Sequence, residues 1–552
     1  MRRFKRIHIV PILTLLICLK SFGQTDIPTE KVDLRLNSDI LFSGETLRYA
    51  INVYSDEGIK EPISGFVYVQ LVGENGIVFK HKIQLNSFTG SDEFFLSTEL
   101  PSGSYYLLAH TRWMRNFDRV TTKRLIILNP FEEYLGAIEQ DDTMLVETAQ
   151  AQSGRQRENL EVFTTRSLIE MAEEIPAGNY SISVKDVVNL WSDNELQKSP
   201  STTNTATSGR IEYLPEIEVE LIEGTIASAA GQRLGGKVVT LSFLTDSTNV
   251  AATMTDAKGQ FQMFYQSPNQ QVAETYWSVL DFEGTYVIEL KENFMSIPEG
   301  LDYSLPSIKS SFAAEIERRS FNVQIENAFF AGDEVIPFID TDVFTPFSAD
   351  SFFKTYNFDD FTRFKILREH FVEYIKTASM PRNEAGVFRL QSPDLELDFG
   401  VNPILVLLDG IVINSRAIEE FSPYRIEGVD LLNTRYFLNG VPFDGVISFR
   451  TKEGRLGGYS GFEKTKVVKI ETAHVPGVKS TSRQREADSR MPDMRSELLW
   501  IPNLNISNPS NVPIDFNTSD VTGEFELIIQ GVKKDGTPWS KRKRFVINDK
   551  EK

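Results

Sequence analysis

The chain reads as a mainly β, multidomain protein: tandem β-sandwiches plus one α+β domain. Three observations predict this. Runs of period-two alternation, such as "LRYAINVYS", "GFVYVQLVG" and "SYYLLAHTRW", recur between turn signals such as "SGE", "GEN" and "PSGS". The 552 residues are 41% hydrophobic and 24% charged, with 39 phenylalanines, so several domains can each own a core. One internal stretch, from about Tyr303 to Tyr459, mixes helical with strand periodicity.

The first 23 residues read as a signal peptide. Arg2, Arg3, Lys5 and Arg6 form a basic head, Ile9 to Leu19 a short apolar run, and Ser21 and Gly23 stand at −3 and −1 of a cut before Gln24. The run is shorter than the roughly 17–25 residues that span a bilayer. Cys18 follows Ile17, too large for a lipoprotein signal, and is the only cysteine. The mature chain therefore has no disulfide, thiolate metal site or cysteine nucleophile. The expected location is the periplasm or the outer membrane. The leader carries five basic residues and no acid, so its loss takes the net charge from −19 to −24. That disfavours nucleic acid and anionic lipid as partners.

Residues 30–130 alternate throughout and read as a first sandwich. The opening "LFSGETLRYAINVYSDEG" and the closing "ELPSGSYYLLAH" resemble an MG domain of the macroglobulin family. Protease-trapping macroglobulins carry a cysteine–glutamine thioester, which a chain without a mature cysteine lacks, so the resemblance implies the module alone. Residues 131–209 read as a second MG-like sandwich, with polar loops at "VETAQAQSGRQREN" and "SPSTTNTATSG" and a turn feeding a strand at "PAGNYSISVKD". Residues 216–300 read as a third sandwich. Its turn, Thr255-Asp256-x-x-Gly259-x-Phe261, resembles the carboxypeptidase regulatory-like domain. "GQRLGGKV" matches the start of a phosphate-binding loop, but Val238 stands where a Ser or Thr would hold Mg²⁺ and a strand follows, so no nucleotide is expected.

Residues 303–459 read as the α+β domain. "DDFTRFKILREHFVEYIK" predicts an amphipathic helix capped by Asp359, with Phe361, Phe364, Leu367, Phe371, Tyr374 and Ile375 on one face. "NPILVLLDGIVIN", the helix candidate "SRAIEEF", "YRIEGVDLLNTRYF" and "DGVISFRTKEG" follow in that order. Order and spacing resemble the plug of a TonB-dependent outer-membrane receptor over roughly 60 residues. Asp409 and Gly410 match its first turn, and Gly445, Val446, Ile447, Thr451 and Lys452 its ending. Taken singly, these are ordinary turn and strand residues. A receptor barrel has about 22 strands of about 10 residues. Only 98 residues follow Gly454, and "VPGVKSTSRQREADSRMPD" among them is hydrophilic, so this stretch reads as a last sandwich, residues 462–552. No TonB-contacting segment is recognisable near the mature start. The whole order resembles a group of exported Bacteroidota proteins with macroglobulin and plug parts, as do "HTRWMRNF" and "PDMR".

No catalytic pattern emerges. His81, His110, His370 and His474 are far apart in sequence, "GGYSGF" misses a nucleophile elbow by one position, and Asp340 with Asp342 is too common a pair to assign to calcium. No cofactor is expected. Trp113, Arg115 and Phe117 cluster after a strand in residue types that favour binding hot spots; core packing explains Trp113 equally well. The expected function is a non-catalytic envelope scaffold whose plug-like sheet docks on an outer-membrane barrel or another envelope protein. The alternatives are a transport component that gates a partner's barrel, and a secreted hydrolase. The oligomeric state is left open.

Overall fold

The computed structural model describes residues 29–55, 61–132, 160–187, 211–245, 249–282, 284–306, 308, 313–330, 354–381, 388–391, 400–458, 465–475 and 491–550. The signal peptide, both polar loops before residue 210, the Asp340–Asp342 pair and most of the loop at 475–493 lie outside them. The architecture is mainly β and multidomain, built of stacked sandwiches.

The first sandwich comprises β1 (Glu30–Leu36), β2 (Ile40–Phe42), β3 (Thr46–Ser55), β4 (Phe66–Gly73), β5 (Gly76–Gln84), β6 (Thr89–Phe95), β7 (Gly103–His110) and β8 (Thr121–Leu128). Sheet β1-β3-β6 faces sheet β2-β8-β7-β4-β5 across a core that includes Leu47, Ile51, Val69, Leu71, Leu107 and Ile127. The Gly-Glu turn opens β3 for a local reason. Gly44 has φ +95, and the Glu45 carboxylate accepts from Phe42 N at 3.0 Å.

The second sandwich is assembled from two segments more than 300 residues apart. β9 (Glu161–Thr164), β10 (Leu168–Ile175) and β11 (Gly178–Asp186) join β29 (Glu497–Ile506), β30 (Ser510–Asn517), β31 (Gly523–Lys533) and β32 (Pro538–Asn548). One sheet runs β29-β11-β31-β32-β9 and the other pairs β10 with β30. The sequences expected to form separate sandwiches, 131–209 and 462–552, therefore share one core. Alternation says which side of a strand is buried and nothing about which strand lies beside it, and so the division failed.

The third sandwich holds β12 (Glu220–Ser228), β13 (Val238–Phe243), β14 (Asn249–Met254), β15 (Gln260–Tyr265), β16 (Val272–Val279) and β17 (Tyr286–Leu290). It also takes β27 (Thr465–Glu471) from beyond the α+β unit, giving sheets β15-β12-β17 and β14-β13-β16-β27. The Asp256 carboxylate accepts from Lys258 N and Gln260 N, both at 2.8 Å; Gly259 turns with φ +73 and Phe261 is buried. Lys237 of the phosphate-loop look-alike donates to Asp281 O at 2.9 Å.

Residues 291–308 then return across the first sandwich. Tyr303 O accepts from Ser104 N at 3.0 Å, and Tyr106 OH donates to Asp302 O at 2.8 Å. Helix α1 (Ala313–Phe330) lays Ile316 and Val323 on Ile40, Phe42, Ile126 and Leu128. Arg319 bonds Glu45 of the first sandwich at 2.7 Å and lies 3.5 Å from Asp186 of the second. Residues 303–330 thus belong with the first sandwich rather than the mixed unit, whose described residues begin at 354, because they carry apolar partners for that sandwich.

The mixed unit has a five-stranded sheet, β18-β23-β26-β21-β22, from β18 (Lys354–Asn357), β21 (Leu405–Leu408), β22 (Ile411–Val412), β23 (Ile426–Leu432) and β26 (Val446–Thr451). Short pairs β19 (Ala378–Ser379) with β20 (Arg389–Leu390), and β24 (Tyr436–Leu438) with β25 (Val441–Phe443), flank it. The long helix expected over 359–376 is only α2 (Leu367–Glu373). Residues 361–366 run outside it, tied down by Arg363, which donates to Ile426 O at 2.9 Å and Pro423 O at 2.6 Å. Asp359 pairs with Arg363 and Lys452 and caps no helix; Phe361 stacks on Tyr374 at 4.1 Å. "SRAIEEF" does form a helix, α3 (Ser415–Glu420), whose N-cap Asn414 accepts from Arg416 N at 2.9 Å. Finally β28 (Ala473–His474) adds to the edge of β5.

Candidate docking site

The residues singled out in the mixed unit meet at one corner. Asp409 and Gly410 join β21 to β22 with φ +45 and +82, the pair of left-handed residues that a tight hairpin needs. The Asp409 side chain is buried and reaches across to the end of β26. It accepts from Thr451 N at 2.8 Å, Thr451 Oγ1 at 2.6 Å and Leu456 N at 2.8 Å. One carboxylate therefore ties the turn to the strand end 42 residues later. The sequence motif held both partners, although nothing in it said they touch.

Gly445 admits the backbone where β26 begins. With φ +117, a Cβ there would lie 2.3 Å from Leu390 Cδ1 and 2.5 Å from Leu432 O. The preceding Asp444 bonds Gly400 N at 2.7 Å, Asn402 N at 3.0 Å and Arg435 at 3.1 Å. Burial raises its pKa, but the bonds from Asn402, Gly400 and Arg435 outweigh this and hold it below the usual carboxylate range. Lys452 N donates to Arg425 O at 2.9 Å, and its ammonium lies 3.2 Å from Asp359.

Val446 and Ile447 serve two cores, because neighbours on a strand point to opposite faces. Ile447 packs with Val406, Leu408, Val429 and Phe449 beneath α2 and α3. Val446 packs with Leu405, Leu407, Val412 and Phe443 against Val238 and Ala252 of the third sandwich. Ser278 Oγ donates to Val412 O at 3.2 Å, and Val412 N to Ser242 Oγ at 3.1 Å, across the same seam. The sheet face expected to meet a barrel protein is thus occupied by the chain's own sandwich. What remains outward is the rim, where Phe437 of the β24–β25 hairpin, Tyr424 and Val372 are each more than half exposed.

The Trp113–Phe117 cluster is spent inside the molecule. Trp113 is buried and meets Phe117 edge-on at 6.1 Å. Arg115 donates to Glu292 O at 3.1 Å and Asn293 O at 2.9 Å and covers the Tyr213 ring at 4.1 Å. Asn116 bonds Tyr213 O at 2.8 Å and accepts from Glu212 N and Tyr213 N. Arg112, fully buried, pairs with Glu223 of the third sandwich at 3.0 Å. His110 stacks on Tyr68 and accepts from Met295 N at 3.0 Å; burial drives its pKa down to about 3, so the ring is neutral. The outward hot spot expected here is a joint between the first and third sandwiches. "PDMR" is a second joint: Asp493 pairs with Arg495 at 2.7 Å, and Met494 N donates to Glu326 of α1 at 2.6 Å.

Sequence reasoning missed the joint at the edge of β5. There Lys82 is buried between Glu216 and Glu220, at 2.8 Å from each. Tyr68 OH donates to Glu216 at 2.6 Å and Tyr265 OH to Glu220 at 3.0 Å. Burial tends to lower the Lys82 pKa, but the two carboxylates more than reverse this and raise it. A lysine on an alternating strand and two glutamates 134 and 138 residues away carry no shared local signal.

No family model matches the chain, and no curated protein does. Solved structures similar to it include a Salmonella alpha-2-macroglobulin reacted with methylamine, at 10% identity and TM-score 0.17, over 94% of this chain and 23% of that one. An Escherichia coli alpha-2-macroglobulin activated by porcine elastase aligns at 7% identity and TM-score 0.25, over 94% and 44%. The Yersinia pseudotuberculosis adhesin InvE aligns at 11% identity and TM-score 0.13, over 47% and 57%. The chain thus spans less than half the length of either macroglobulin.

Proposed function

We propose that the protein is an exported, non-catalytic scaffold of a Gram-negative envelope, of the type that combines MG-like and regulatory-like sandwiches with a plug-like unit. In this reading the plug-like unit docks on an outer-membrane component from the periplasm or the membrane itself. The observation that carries it is the Asp409 corner: a motif resembling a receptor plug closes on itself through Thr451 and Leu456. A scaffold also needs its docking unit held at a set angle, and the shared core with the third sandwich supplies that.

The contact surface in this reading is the rim, since both sheet faces are covered. Entry of the unit alone into a partner's barrel, as a transport plug, would uncover Leu405, Leu407, Val412, Phe443 and Val446, at about 1.5–3 kcal/mol for each large side chain. Scaffolding is therefore favoured over gating.

Photo-crosslinking from Phe437 and Tyr424 in living cells tests this. The expected product is one recurrent outer-membrane protein, absent when the crosslinker is moved to Leu168 on the second sandwich. Equal capture from all three exposed positions, or capture of soluble proteins alone, overturns the reading.

A further inference from the structure

The joint at Lys82 sets an amine, two carboxyl groups and a phenol directly against one another. Lys82, Glu216 and Glu220 are each only 1% exposed, so bulk water is kept away from them. Lys82 Nζ lies 2.8 Å from Glu216 Oε1 and 2.8 Å from Glu220 Oε2. The rings of Phe66, Tyr68 and Tyr265 stand 5.4, 5.0 and 5.8 Å from the same nitrogen. The backbone fixes the Glu216 side of the joint. Gly65 N donates to Glu216 O at 2.7 Å, and a Cβ at Gly65 would lie 1.9 Å from Ile217 O.

The two carboxyl groups are not equivalent. Both oxygens of Glu216 accept from donors besides the lysine: Leu221 N on Oε1 at 2.7 Å, and Tyr68 OH on Oε2 at 2.6 Å. Donors so placed stabilise the charge that builds up on these oxygens when the carbon is attacked. Glu220 accepts from Tyr265 OH and Ala473 N, both at 3.0 Å and both on Oε2. Its Oε1 is buried and has no hydrogen-bond partner, so it is free to carry a proton. One glutamate is thus arranged as an acceptor of the amine and the other as a proton carrier.

We propose that Lys82 and Glu216 condense to an amide that ties the first sandwich covalently to the third. Glu220 takes one proton from Nζ, and the nitrogen lone pair attacks Glu216 Cδ. Tyr68 donates to Oε2, which stays as the amide oxygen. Oε1 leaves as water, carrying the two protons that the nitrogen gives up, one of them by way of Glu220. One ammonium and one carboxylate become one amide and one water, with no oxidant or co-reactant. The ammonium is the resting form, because the two carboxylates raise the Lys82 pKa, so the reaction is slow. It needs to happen only once in each molecule. A pair held at attack distance reacts as if at about 10⁵–10⁸ M, and the water released leaves a joint that excludes water. The new N–H still faces Glu220, which keeps the remaining carboxylate bonded. With a single cysteine the chain can form no disulfide within itself, and the amide is its covalent brace.

The intact mass of the purified full chain, followed over days in the folded state, tests this. The native chain is expected to become lighter than its sequence by one water. Digestion is expected to yield a branched peptide that joins Lys82 to Glu216. Lys82→Met is expected to stay at full mass, and Glu220→Gln to lose water about a hundredfold more slowly, the share a positioned proton carrier supplies. A native chain that stays at full mass overturns the amide, as does a water loss that persists in Lys82→Met. If the variants fail to fold, the native mass and the branched peptide decide.

Discussion

Deleting residues 491–552 removes β29 to β32 and leaves the rest of the chain intact in sequence. A free-standing C-terminal domain would be lost without effect on residues 161–186. The shared sandwich predicts otherwise. β11 pairs with β29 on one side and β31 on the other, β10 with β30, and β9 with β32. The deletion uncovers Ile169, Met171, Ile175, Tyr180, Ile182 and Val184. At about 1.5–3 kcal/mol for each large apolar side chain, these six lose about 9–18 kcal/mol. That is comparable to the whole stability of a typical domain, about 5–15 kcal/mol. Residues 161–186 are thus expected to exchange and be cleaved as unfolded chain, while peptides from β4 and β7 keep their protection. Adding residues 491–552 in trans should restore 161–186. Native-like protection of β11 in the shortened chain would refute the shared core.

Three further outcomes follow from the joints. Asp409→Ala strands two buried backbone donors, Thr451 N and Leu456 N, at about 1–3 kcal/mol each, so denaturant unfolding of the mixed unit should show a loss of about 2–6 kcal/mol; a loss under about 1 kcal/mol would mean the corner is dispensable. Trp113→Ala should lower the thermal stability of the first sandwich by about 3–5 kcal/mol. An unchanged melting curve with lost partner capture would restore the hot-spot reading. The Asp92 pKa, about 2 against an ordinary 3.8, gives the carboxylate a stabilising share of about 2 kcal/mol. That share is complete above pH ~4 and lost as pH falls through 2, so acid titrations of the native chain and Asp92→Asn should converge between those limits.

The sequence made local geometry legible and left partnership hidden. Strand β3 announced itself because it buries near-alternate residues, and β7 because a turn built from its own neighbours opens it. The Asp409–Gly410 turn and the helix at Ser415–Glu420 were legible for the same reason. Residues 359–376 misled because Phe361, Phe364, Leu367 and Phe371 sit at helical spacing, while the bonds that keep 361–366 outside the helix come from Pro423 and Ile426. The joints were the least legible. Trp113, Arg115 and Phe117 were noticed for their residue types, but the partners of Arg115, and of Arg112 beside them, lie about 100 to 180 residues away in Tyr213, Glu223 and Asn293. β27 reads like any other strand, and only the structure places it beside β16.

The pairing of β27 with β16 has a mechanical consequence. Thr465–Glu471 runs antiparallel to Val272–Ser278 over seven registered positions. On the other flank, α1 is pinned to Glu45 through Arg319. A pull on the mixed unit is therefore divided between two moorings. Along β27 it acts in shear on all seven positions together, so load on the unit would travel into the sandwiches and would not peel one strand at a time.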